Sequence, residues 1–138
     1  MKARFLWRAM KARYRDETVE LAAIREYVRP GDWVCDIGAN KGAFIYWMSR
    51  WVGDGGRVVA FEPQEDLAEY LRRVCDGLTL SNVVVEGKAV GARTGSATLY
   101  VPGEEGNSPG ASLNSRLPEG EACRSVSVPL VTLDDYFP

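Results

Sequence analysis

Two carboxylates and a glycine-punctuated turn are the residues of this chain best placed to do chemistry. Asp36-x-Gly38-x-x-x-Gly42 lies between an apolar run that reads as a strand and an apolar run that reads as a helix. That is the setting in which a glycine turn brings backbone N–H groups up to a ligand. Gly38 lets the backbone turn and lets a ligand approach closely, and Gly42 lets the following helix pack on the strand. The free N–H groups at that helix start favour a phosphate or carboxylate. Glu62 follows 26 residues after Asp36, at the end of a second strand-like run, where an acid can accept both hydroxyl hydrogens of a ribose. Taken singly, a glycine pair or a terminal acid fits a purely structural turn or a surface strand end. Together, acid, turn, buried helix, strand and acid describe an adenosine-type ligand laid across the carboxyl ends of two strands.

The elements that position these residues are legible in the patterning. Residues 3–15 place Ala3, Trp7, Met10 and Tyr14 at helical spacing with Lys and Arg on the other faces, which predicts an amphipathic helix with a solvated basic face. A second helix over Thr18–Val28 buries Leu21, Ile24 and Val28, and Pro30-Gly31 ends it. Trp33–Ile37 reads as a strand covered on both faces, and Ala43–Val52 as a deeply packed helix. Arg57–Glu62 is a second buried-type strand. Pro63 then opens a helix with the stripe Leu67, Tyr70, Leu71 and Val74, and Asn82–Glu86 is a third strand. Strand–helix alternation with short connections means right-handed βαβ units and a parallel, Rossmann-like sheet. Ser96–Val101 and Ser125–Val131 predict an added antiparallel hairpin. The stretch 102–120 between them holds four Gly and three Pro, a loop length that is usually functional or disordered. Thr132 is placed to cap a last helical turn, and the acids Asp134-Asp135 suit its start.

Composition narrows the function classes. The 138 residues are 46% hydrophobic and 26% charged with net charge −2, which describes one globular domain with no overall bias toward nucleic acid. Residues 1–15 nevertheless carry six Lys/Arg and no acid, so the rest of the chain is clearly acidic. No apolar run approaches the ~18 residues of a membrane span, and the basic start lacks a secretory apolar region. The absence of histidine excludes a His-based triad or a His metal site. Cys35, Cys75 and Cys123 are scattered beside apolar neighbours, as reduced and mostly buried thiols of a cytoplasmic protein would be.

The segments DIGANKGAF, GGRVVAFEP, NVVVEGKAVG, GSATLYVP and VPLVTLDDYF, in this order, resemble the FkbM-type S-adenosylmethionine-dependent methyltransferases from about Gly31 to Phe137. The resemblance implies that Asp36, Gly38, Ala39, Asn40 and Gly42 surround the methionine part of the cofactor. It implies that Glu62 holds the ribose with Pro63 beside it, and that Lys88-Ala89 lie near the adenine. Lys41 falls at a variable place of the motif and receives no role, and Ala111-Ser112-Leu113 resembles a family segment that could line the cofactor mouth. The implied reaction is methyl transfer to the oxygen of a small-molecule or sugar-type acceptor. Family members continue past the Thr-Leu-Asp-Asp segment into further strands, so the chain is expected to be a single truncated domain. Its parts would be N-terminal helices over 1–30, a βαβαβ cofactor-binding half over 31–91, and a hairpin with the start of a helix over 92–138. The alternative is a non-catalytic half-domain that assembles with itself or another chain. Because the first strand has only the second as a neighbour, self-association through an exposed sheet edge is expected, with no nucleic-acid or membrane partner.

Overall fold

The computed structural model describes residues 1–103, 110–114 and 122–137, so most of the Gly/Pro-rich stretch lies outside the described residues. Helix α1 (Lys2–Lys11) runs through a π turn (Ala12–Asp16) and is followed by α2 (Thr18–Tyr27). Strand β1 (Trp33–Ile37), α3 (Ile45–Val52), β2 (Arg57–Phe61), α4 (Glu65–Gly77) and β3 (Val83–Glu86) follow in strict alternation. Then come β4 (Ala89–Val90), β5 (Gly95–Pro102), β6 (Cys123–Val131) and a short α5 (Leu133–Tyr136).

The three long-range strands form a parallel sheet in the order β1-β2-β3, with Asp36 opposite Ala60 and Phe61 opposite Glu86. A second sheet, β4-β6-β5, joins the expected antiparallel hairpin to two residues not foreseen, Ala89 and Val90, which pair in parallel with Leu130 and Val131. One side of the parallel sheet is packed by helices: Phe5, Ile45, Leu71 and Val74 gather around Ala60, and Val28, Met48 and Val52 around Val58. On the other side Val59 and Phe61 meet Val131 and Tyr136, whose ring stands edge-on to Phe61 at 5.1 Å. The Tyr136 hydroxyl donates to Glu86 Oε1 (2.9 Å), so α5 is fastened across the sheet. Thr132 caps it as predicted, its Oγ1 accepting the N–H of Asp135 at 3.0 Å.

Three expectations are corrected. The buried row of α1 is Phe5 and Ala9, continued by Ala12, whereas Trp7, Met10 and Tyr14 are exposed. Both rows have helical spacing, and the small Ala9 and Ala12 win because they let α1 lie close to α3 and α4. The indole N–H of Trp47 donates to the Ala9 carbonyl at 2.7 Å, where the helix changes pitch. Strand β1 is not covered on both faces: Trp33 is 63% and Ile37 55% exposed, because among the described residues nothing pairs with its outer edge or fully covers one face. Finally, Cys35 and Cys123 are exposed and only Cys75 is buried, all three as free thiols. Among the described residues no helix is long and apolar enough to cross a membrane.

Candidate functional site

At the carboxyl end of β1 the chain enters a turn that only certain residues can make. Gly38 and Gly42 have φ +79° and +74°, and Asn40 has φ +49°, a left-handed conformation that asparagine tolerates better than most side chains. The N–H groups of Gly38 and Ala39 both donate to the Phe61 carbonyl, at 2.9 and 3.0 Å, which ties the turn to the end of β2. The two glycines serve different ends. A Cβ on Gly42 would sit 2.7 Å from Leu71 and from the Phe5 ring, so its hydrogen is a packing requirement. A Cβ on Gly38 would meet nothing within 4 Å, so that face of the turn looks onto open space. Ala39 turns its methyl group into the core beside Ile45 and Leu71 and offers a ligand only its backbone.

Glu62 is 2% exposed. Its Oε2 accepts the Asn40 N–H at 2.7 Å and its Oε1 the Gln64 N–H at 2.9 Å. It therefore clamps the glycine turn to the start of α4, and its Oε1 also accepts from the Gln64 side-chain amide at 3.3 Å, which leaves about one of the roughly four acceptor sites of a carboxylate. The spacing of the acids suggested the site but not this clamp, which depends on how the turn folds back.

Asp36 is half-buried, and among the described residues no hydrogen bond or ion pair reaches its carboxylate. Burial first, and the neighbouring Glu62 carboxylate second, push its pKa up to about 6. Four residues further on, the buried Asn40 Oδ1 likewise has no partner among the described residues. An unpaired acid and a buried acceptor together call for a donor, preferably a cationic one.

Pro63 borders a cavity of about 290 Å³ closed by Gly87 at the end of β3 and by the apolar side chains Leu99, Val101, Val126 and Val128 of the hairpin. Lys88 stands one strand over, paired with Glu86 at 2.9 Å, and Ala89 is buried in the hairpin core. The structure thus gathers Gly38, Ala39, Asn40 and Gly42 in one turn with Asp36 at the strand end before it and Glu62 bonded to it from the end of β2, sets Pro63 at its margin and leaves Lys88 and Ala89 to the side. Ser112 exchanges two backbone hydrogen bonds with Tyr100, at 2.8 and 2.9 Å, a strand-like contact rather than a cavity lining. Lys41, given no role by the motif, stands with Arg4 and Arg8 of α1 around a separate cleft. The accumulation of cations over residues 1–15 is the one sequence signal that points there.

The methyltransferase FkbM domain matches residues 36–138, three quarters of the chain, from Asp36 onward. The chain belongs to this family. As an FkbM-family domain it shares its fold with a Clostridium thermocellum protein described as an rRNA-methylase, at 23% identity and TM-score 0.50, over 53% of this chain and 40% of that one. It is also similar to a SAM-dependent methyltransferase from Aquifex aeolicus, at 24% identity and TM-score 0.49, over 62% of this chain and 46% of that one. The chain therefore spans less than half the length of these solved structures. No curated protein matches it. The cofactor of the FkbM family is S-adenosylmethionine. The residues present suit that group: an acid without a partner, an orphaned buried acceptor on Asn40, and open space in front of Gly38.

Proposed function

We propose that this domain binds S-adenosylmethionine across the carboxyl ends of β1 and β2 and serves transfer of its methyl group to an oxygen of a small-molecule or sugar-type acceptor. The observation that carries this reading is the half-buried, unpartnered Asp36 beside the orphaned Asn40 Oδ1, on a turn that Glu62 clamps. When bound, the cofactor supplies an electrophilic methyl group on a positively charged sulfur. Asp36 and Asn40 would accept the ammonium group of its methionine part, which relieves both the desolvated acid and the orphaned oxygen. Glu62 would accept a ribose hydroxyl through its remaining acceptor site, and Pro63 with the hairpin cavity would take the base. Transfer to an ionised oxygen depends chiefly on in-line positioning, so the lack of histidine is compatible with it.

Calorimetric titration with S-adenosylhomocysteine tests this. The parent should bind, and Glu62→Ala should bind at least about tenfold more weakly, as expected when polar groups lose partners. Glu62→Gln, which keeps an acceptor oxygen, should fall between them. Equal affinities in all three would overturn the assignment.

A second reading, a half-domain that works by completing its sheet with a second copy, is favoured by the open edge of β1 and the exposed Trp33 and Ile37. No proline or lysine within Trp33–Ile37 discourages pairing there. Failure of the parent to bind S-adenosylhomocysteine, together with a dimer in sedimentation at micromolar concentration, would support this reading over the first.

A further inference from the structure

Beside the glycine turn, one cleft collects cations that no ion pair among the described residues neutralises. Arg4 and Arg8 of α1, Lys41 of the turn, and Asp66, Leu67 and Tyr70 of α4 line a space of about 360 Å³. Ion pairs do form elsewhere on these elements, such as Lys11 with Asp16 and Arg73 with Glu69. Among the described residues none reaches Arg4, Arg8 or Lys41, and Asp66 makes no ion pair with them. Arg8 Nη1 donates to the Tyr70 hydroxyl at 3.1 Å. The phenolic oxygen thereby accepts, and its own hydrogen stays available to a ligand.

We propose that this cleft is a binding site for the phosphoryl group of a small, hydroxyl-bearing phosphomonoester. Charge matching carries the choice. Three cations against one acid leave the cleft at about +2, the complement of a monoester phosphate, which carries roughly −1.5 to −2 at neutral pH. A carboxylate would neutralise only half of that. The guanidinium groups of Arg4 and Arg8 and the compact ammonium of Lys41 give the fork-and-point set of donors that suits phosphoryl oxygens. Asp66 repels an anion but accepts from a hydroxyl, so it favours an ester whose remainder carries one. The cleft exceeds what a bare phosphate fills, which leaves room for that remainder. Neither arginine belongs to the segment matched by the family, which begins at Asp36.

Titration calorimetry with glycerol 2-phosphate on the full chain, at low and high salt, tests the proposal. Arg4→Ala/Lys41→Ala is the informative variant, because neither side chain makes a hydrogen bond or ion pair among the described residues. The expected result is one-to-one binding by the parent, weakened by salt, absent with glycerol and reduced at least about tenfold in the double variant. No binding by the parent, or equal affinity in the variant, would overturn it. Two further arms separate other sources of the anion. If a single-stranded RNA oligonucleotide binds while glycerol 2-phosphate does not, the basic face serves a polyanion and the proposal fails. If the double variant loses affinity for S-adenosylhomocysteine but not for glycerol 2-phosphate, the cations serve the carboxylate of the cofactor and the proposal fails equally.

Discussion

Strands β1 and β2 are each five residues long, largely apolar and in parallel register, yet their fates differ. Val58, Val59, Ala60 and Phe61 are all but sealed, with a strand on each side, helices on one face and α5 with Val131 on the other. In β1 alternate side chains stand exposed, because β2 is its one partner among the described residues. An apolar pentapeptide therefore states what a strand tolerates, while its neighbours decide what it buries. The functional consequence lies at the strand ends. Glu62, just past the sealed strand, is engaged in a clamp, whereas Asp36, on the open strand, is left without a partner among the described residues.

The comparison breaks first on stability. Phe61→Ala should cost about 3–5 kcal/mol, the range for deleting a buried aromatic ring, while Ile37→Ala should cost under about 1 kcal/mol. Urea melts of both variants check this, and similar losses would mean that β1 is covered in solution. Next comes the pH dependence of Asp36. Its folded pKa, about 6, lies above the ordinary 3.8, so the folded state holds this proton more tightly. The associated stability is present below the ordinary value and lost as pH rises through about 6. Asp36→Asn should match the parent near pH 4 and exceed it by roughly 1–3 kcal/mol near pH 8. The smallest expected effect on stability is that of Ile37→Lys, within about 0.5 kcal/mol. If copies pair along β1, the same change should shift sedimentation from dimer toward monomer, and an unchanged profile would exclude this edge as the contact.

Much of this was legible in the sequence because the physics was local. The alternation of short apolar runs with helical stripes gives the three parallel strands, and Gly38, Gly42 and Glu62 mark the turn by residue type and position. What escaped was tertiary. Phe5-Ala9-Ala12 and Trp7-Met10-Tyr14 share a helical period, and only the approach of α3 and α4 selects between them. Likewise, the sequence shows Glu62 as an acid at a strand end. That its oxygens take the N–H groups of Asn40 and Gln64 depends on a turn whose path no spacing reveals. The two-residue β4 lacks the length to produce a pattern.

The contact between Gly42 and the Phe5 ring has a thermodynamic corollary. The ring fills, together with Leu71, the place a side chain would take, so the underside of the glycine turn is built in part by a residue outside the segment matched by the family. Order in the turn and order in the first helix are thus coupled, and coupling of free energies runs both ways. Whatever binds and steadies the turn must shift the amino terminus from frayed toward docked, and docking of the amino terminus must tighten that binding by the same factor.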